Sequence, residues 1–212
     1  MMAGKFIAFE GGEGTGKSTQ ARLLAEYLKA AGLDTVLTRE PGGTEGAEAI
    51  RALLLDPAGK GWGARAEALL FAAARADHVE KLIKPAIAAG KWVVCDRFLD
   101  SSRAYQGGAG GIGDEAVLAL HDVGSAGLKP DLTLLVTVPP QVAEKRLSLR
   151  DGDQSDAIGG RGAEYHRAVA ESFAAMAKQE PGRFAVIDGD GTIEVVQSRV
   201  IAAAAQHFGL SL

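Results

Sequence analysis

No asparagine occurs in the 212 residues, so the chain cannot carry the Asn-Lys-x-Asp sequence by which guanine-specific nucleotide switches usually read their base. Cysteine is almost absent as well. The single Cys95 cannot close an internal disulfide, and its place in the apolar run Trp92-Val93-Val94-Cys95 reads as a buried thiol in a reducing compartment. No stretch approaches the roughly 20 apolar residues of a membrane span, and the early residues lack the layout of a signal peptide. A cytoplasmic protein without a membrane partner is the expectation. Neither sign of charge dominates, since 23 Lys and Arg stand against 27 Asp and Glu for a net charge of −4. That balance gives no basic field for a nucleic-acid polymer, which is excluded as a partner.

What the chain does have is apolar material, 47% of its residues, enough for one compact domain over 1–212 with a sizeable core. Short apolar runs fall at Phe6 to Phe9, Thr35 to Thr38, Trp92 to Cys95, Leu132 to Val138 and Phe184 to Ile187. They do not alternate strictly, which is how strands buried on both faces of a parallel sheet read. Helical periodicity fills the intervals, including Ala64 to Ala89, Pro139 to Arg150 and Ala163 to Lys178. This order predicts an α/β fold with a five-stranded parallel sheet, helices on both faces, and a site along the carboxyl ends of the strands. Residues 151–162, rich in Gly, Asp and Ser, read either as a linker or as a lid loop.

Directly after the first run stands Gly11-Gly12-Glu13-Gly14-Thr15-Gly16-Lys17-Ser18, a full G-x-x-x-x-G-K-[ST] phosphate-binding loop. Glycines let successive backbone N–H groups turn inward toward anionic oxygens, and the following helix adds the positive end of its dipole. Lys17 would reach the β- and γ-phosphates of a nucleoside triphosphate, and Ser18 would ligate Mg²⁺. The third run ends in Asp96-Arg97. An acidic residue there is the usual partner of the loop hydroxyl around Mg²⁺, and the arginine offers a bidentate donor to phosphate.

Two further patterns are weaker. Arg39-Glu40-Pro41-Gly42-Gly43-Thr44 reads as a turn followed by a helix cap at Thr44, which leaves Arg39 without a reason. Phe71 and Arg75 lie four apart on one helix face and could stack on a base and bond its edge. Spacing alone favours a core ring beside a surface arginine. Gly108, Gly110 and Gly113 imitate a dinucleotide fingerprint, but no strand precedes them. Asp151 to Asp156 and Asp188 to Thr192 lack the sixth-position glycine and terminal glutamate of a calcium loop. The four histidines show no metal-ligand spacing, so Mg²⁺ is the one metal expected.

Taken in order, Phe6 to Thr19, Arg39 to Thr44, Leu70 to Arg75, Asp96-Arg97-Phe98 and Ser101 to Gly107 make the chain resemble the bacterial thymidylate kinases over nearly its whole length. The resemblance implies a P-loop kinase fold with a lid, and transfer of the γ-phosphoryl group of Mg²⁺·ATP to dTMP. It implies that Phe71 stacks on thymine, that Arg75 bonds its carbonyl edge, and that Ser102 and Gln106 lie along the base. Tyr105 would sit against the sugar where a 2′-hydroxyl would clash. Arg97 would hold the acceptor phosphate, Glu13 would approach the 3′-hydroxyl or the Mg²⁺ shell, and Arg39 would support the acceptor site. Catalytic arginines come from the lid in relatives whose phosphate loop has none, commonly in Asp-Arg-x-Glu. Here that stretch is Asp156-Ala157-Ile158-Gly159, which leaves Arg150 and Arg161 as the nearest candidates. Gly110 also stands where many relatives have arginine. The family is typically homodimeric.

Overall fold

The structure, a computed structural model, describes residues 4–56, 59, 61–151 and 158–210, apart from the side chains of 150 and 151. The five apolar runs become β1 (Lys5–Glu10), β2 (Thr35–Arg39), β3 (Trp92–Asp96), β4 (Leu132–Thr137) and β5 (Phe184–Asp188). They form one parallel sheet in the order β2-β3-β1-β4-β5. The register pairs Phe9 and Arg39 with Asp96, so β1, β2 and β3 end along one line. Whatever follows these three strands therefore meets at one edge.

Both faces of β1 are apolar for a visible reason. Ile7 and Phe9 enter a core cluster with Leu24 and Leu28 of α1 (Lys17–Ala30) and Val196 and Val200 of α9 (Ile193–Phe208). Phe6 and Ala8 enter a second cluster with Val79, Ile83, Phe98 and Val117. Each fully buried Phe or Ile contributes roughly 1.5–3 kcal/mol. A polar residue on either face would forfeit that, so the run cannot alternate.

The remaining helices are α2 (Glu45–Leu55), α3 (Ala64–His78), α4 (Lys84–Ala88), α5 (Leu99–Ser102), α6 (Asp114–Ser125), α7 (Pro140–Asp151) and α8 (Ala163–Gln179). Thr44 caps α2 by accepting from the Ala47 amide at 3.4 Å. The stretch expected as one helix over Ala64 to Ala89 is interrupted by a π-helical turn at Val79–Ile83. Pro85 sits just beyond it, and the wider turn accommodates a residue that has no N–H to give. A second π-helical segment, Arg103–Ala109, continues α5. It is held to α8 by a third cluster that includes Tyr105, Ile158, Val169 and Phe173.

Candidate active site

The phosphate loop fills the turn between β1 and α1, and its glycines answer to real crowding. At Gly11, with φ of 137°, an added Cβ would lie 2.3 Å from the Val136 carbonyl oxygen. No side chain fits there. Lys17, at the start of α1, is buried, and its Nζ donates to the Gly12 carbonyl at 2.5 Å. Burial, and next the Arg97 charge, lower the Lys17 ammonium to about 8. The loop thus concentrates a cation whose protonation is sensitive to what it faces.

Arg97 stands just past β3 with φ of 69°, a left-handed conformation costly for any residue with a Cβ. The turn is secured from below by Glu10, fully buried at the end of β1. Its Oε1 accepts from the Phe98 and Ser101 amides at 2.9 and 3.0 Å, and its Oε2 from the Ser101 hydroxyl at 2.6 Å. Burial, reinforced by nearby Asp100, pushes the Glu10 carboxyl up to about 7. Held this way, the Arg97 guanidinium donates to the Gly11 carbonyl (3.1 Å), Ser101 Oγ (3.0 Å), Glu13 Oε1 (2.5 Å) and the Tyr105 hydroxyl (3.3 Å). It also lies 5.1 Å from the Tyr105 ring centre. Burial opposes its charge, but Glu13 and Asp96 outweigh that and hold it above its ordinary value. Tyr105 donates to Glu13 at 3.2 Å, and burial raises its own hydroxyl well above the usual range.

A cavity of about 340 Å³ opens beside this cluster, walled by Phe71, Arg75, Ser102, Tyr105 and Gln106 together with Glu13, Ser18, Asp96 and Arg97. Arg75 is 3% exposed. Its Nε donates to Glu40 Oε2 (2.7 Å), and its Nη2 to Ser102 Oγ (2.7 Å) and the Phe98 carbonyl (3.2 Å). Glu40 is in turn held by His78, whose Nδ1 is 3.0 Å from Oε1 and whose Nε2 is 2.7 Å from Thr38 Oγ1. Gly43 has to be glycine here, because its Cβ would come 2.5 Å from both His78 Nε2 and Thr38 Oγ1. An apolar ring, a fixed guanidinium and amide and hydroxyl groups thus surround one space. It suits a flat polar heterocycle joined to an anion.

The sequence model for thymidylate kinase matches residues 9–200. The chain belongs to the thymidylate kinase family. It is 58% identical over 204 residues to a thymidylate kinase of Rhizorhabdus wittichii, covering 96% of this chain and 98% of that one. A Chromohalobacter salexigens thymidylate kinase is 48% identical, with 95% of each chain covered. The crystal structure of a thymidylate kinase from Ehrlichia chaffeensis superposes with a TM-score of 0.78 at 34% identity, covering 95% of this chain and 99% of that one.

Against this family background most of the residues singled out from sequence meet at the cavity, and some acquire unforeseen partners. Arg39 reaches the rim, where Glu48 binds it through both carboxylate oxygens at 2.9 and 3.1 Å. That pair supplies the reason the turn pattern lacked. The Gly43 amide first, and then Arg39, outweigh burial and hold the Glu48 carboxyl below its ordinary value. Arg161 is absent from the walls of the main cavity and pairs instead with Glu67 and Tyr165. The side chain of Arg150, together with Asp156 and Ala157, lies outside the described residues.

Further side chains that the sequence assigns no role support the site. Glu10 and Glu40 are carboxylates at strand ends whose value depends on partners 88 and 35 residues away. Arg51 of α2 lines the cavity and donates to the Pro41 carbonyl at 2.7 Å. Arg146 of α7 touches the phosphate loop from outside, donating to the Thr15 carbonyl at 3.4 Å and to the Gly189 carbonyl at 3.1 Å. An arginine inside an otherwise Ala- and Leu-rich α2 was the one available signal for Arg51. Nothing local marked the others.

Proposed function

We propose that the 340 Å³ cavity holds dTMP with its phosphate toward Arg97, and that ATP lies along the phosphate loop on the other side of Glu13. As a thymidylate kinase the chain phosphorylates dTMP to dTDP with ATP. The observation that carries the assignment is convergence. Phe71, Arg75, Ser102, Tyr105 and Gln106 line the same space as Ser18, Asp96 and Arg97.

In this arrangement Phe71 stacks on the thymine ring and Arg75 bonds its carbonyl edge, while Ser102 and Gln106 flank the base. Tyr105 closes the sugar side. Glu13 belongs to the sugar as well, because its partners Arg97 and Tyr105 both face the acceptor. Arg97 exchanges part of its present hydrogen bonding for the acceptor phosphate, and Arg39 supports the rim. That phosphate oxygen is already an anionic nucleophile, so no strong base is required. The task left to the protein is alignment and charge neutralisation. Lys17 and the loop amides of residues 11–18 meet the β- and γ-phosphates, and a lid cation such as Arg150 completes the charge.

The donor set also fits Mg²⁺. Asp96 Oδ1 is buried and has no hydrogen-bond partner among the described residues, and it shares the cavity wall with the Ser18 hydroxyl. Hard oxygen donors of this kind suit that ion, and no cluster of three or more His, Cys, Asp or Glu competes among the described residues. Ser18 and Asp96 would hold it, and it would supply countercharge to the transferred group.

We also assign the chain a single domain over 1–212 with residues 151–162 as its lid, a cytoplasmic setting, and a homodimeric state. No described helix is long and apolar enough to cross a membrane. Leu53, Leu69 and Val123 are exposed on the neighbouring helices α2, α3 and α6, a surface suited to a second copy. The test of the acceptor is ADP release from ATP and Mg²⁺ with dTMP, UMP, CMP, AMP or GMP. A preference for dTMP is expected, and equal rates with all five would overturn the reading.

A further inference from the structure

Arg161 stands two residues before α8, where a lid cation would be sought, yet its guanidinium partners among the described residues lead toward the acceptor pocket. Its Nη2 pairs with Glu67 of α3, and its Nη1 donates to the Tyr165 hydroxyl at 2.5 Å, with the guanidinium 4.6 Å from the Tyr165 ring centre. Each of these partners leads to a residue of the main cavity. The other oxygen of Glu67 accepts from Gln106 Nε2 at 2.8 Å. The Tyr165 hydroxyl, receiving from Arg161, donates to the Tyr105 carbonyl at 2.9 Å.

One guanidinium therefore fixes two consecutive residues, 105 and 106, by two separate relays. The relays are poorly placed for solvent to replace. Glu67 and Gln106 are 6% and 2% exposed, and Tyr105 is 4% exposed. Without Arg161, the Glu67 carboxylate would keep only the Gln106 amide among the described residues, in a largely dry setting. Such a carboxylate either takes up a proton or turns toward water, and both outcomes release Gln106. Tyr165 would lose the donor that orients its hydroxyl. The same arginine also anchors the end of the lid segment, because its amide donates to the carbonyl of Ile158, a buried residue of the cavity wall.

We infer that Arg161 is a positioning residue of the acceptor pocket, setting Tyr105 through Tyr165 and Gln106 through Glu67, and is not a cation that reaches the transferred phosphoryl group. This rests on the proposal that the pocket takes dTMP. The role has a kinetic signature distinct from that of a lid arginine. A contact made only in the transition state lowers kcat, whereas a loosened pocket weakens acceptor binding.

The experiment is steady-state kinetics of the full chain and of Arg161→Ala, Arg161→Lys and Glu67→Gln, with dTMP and ATP varied in turn. Arg161→Ala is expected to raise KM for dTMP about 10- to 100-fold, leaving kcat within about threefold and KM for ATP unchanged. Glu67→Gln should reproduce the direction of that change. Arg161→Lys should recover part of it, since an ammonium can still pair with Glu67 but lacks the planar fork. If the alanine variant does not fold, the other two carry the comparison. The inference is overturned if kcat falls by a larger factor than KM for dTMP rises, or if that KM moves less than threefold in every folded variant. The unsubstituted enzyme separates the two readings. Loss of dTMP preference there would remove the acceptor assignment itself, while a retained preference with unmoved KM values in the variants would remove only the role of Arg161.

Discussion

Arg97 Nη2 lies 2.5 Å from Glu13 Oε1, an ion pair that joins the residue after β3 to a variable position of the phosphate loop 84 residues earlier. The pair is possible because Arg97 adopts a left-handed backbone conformation and Glu10 clamps the turn that follows. The conformation and the function then make opposing demands on the same residue. Arg97→Ala keeps the unfavourable backbone and loses the guanidinium, whereas Arg97→Gly loses the guanidinium and removes the strain. Both variants should lose about a thousandfold or more in kcat/KM for dTMP, on the order of 4 kcal/mol. The glycine variant should nevertheless be about 1 kcal/mol more stable than the alanine variant. Equal midpoints in thermal unfolding would remove the strain argument.

Arg75 and Glu40 form a pair in which neither side chain is more than 4% exposed. Removing one partner strands the other. Arg75→Met should cost about 3–5 kcal/mol in urea unfolding, more than loss of the base contact alone would suggest. A cost below about 1 kcal/mol would show that His78 or water compensates Glu40 without Arg75.

Lys17, lowered to about 8 chiefly by burial and then by Arg97, should lose its charge in the free enzyme within an accessible pH range. Phosphate binding would favour the charged form. kcat/KM for ATP should therefore fall above about pH 8, while kcat under saturation stays level through that region. A kcat/KM profile flat from pH 7 to pH 9.5 would contradict this.

Glu10 makes the opposite kind of prediction, about folding. Its carboxyl is raised from 4.5 to about 7, so the folded chain holds a proton that the unfolded chain releases between those values. Its contribution to stability is full below about pH 4.5 and is lost as pH rises through about 7. Relative to Glu10→Gln, the unsubstituted protein should lose up to about 1.4 kcal/mol per pH unit across that window. Parallel stability curves from pH 5 to pH 8 would refute the assignment.

The sheet and the phosphate loop were legible because their signals are local. Phe6 to Phe9 is apolar on both faces, and Gly11 to Ser18 is a contiguous pattern with a strand before it and a helix after it. The clamps around the site were not legible. Glu10 and Glu40 are ordinary polar residues until the register of β1, β2 and β3 sets them beside the turns holding Arg97 and Arg75, and His78 matters only once α3 packs it against Glu40. The partners of Arg161 were hidden for the same reason. Its proximity to the lid is a fact of sequence, whereas its attachment to Glu67, 94 residues away, is a fact of folding. The π-helical segment Arg103–Ala109 has no signal of its own in the sequence, where its glycines suggest no helix.

In the proposed arrangement one cavity reads thymine at Phe71 and Arg75 and presents the acceptor phosphate to Arg97. A crystal structure with dTMP and a non-hydrolysable ATP analogue tests it most directly. The thymine ring should lie stacked on Phe71 with its carbonyl edge within hydrogen-bonding distance of Arg75 and the dTMP phosphate on Arg97 facing the γ-phosphate. Density for dTMP outside this cavity, or with its phosphate away from Arg97, would contradict it.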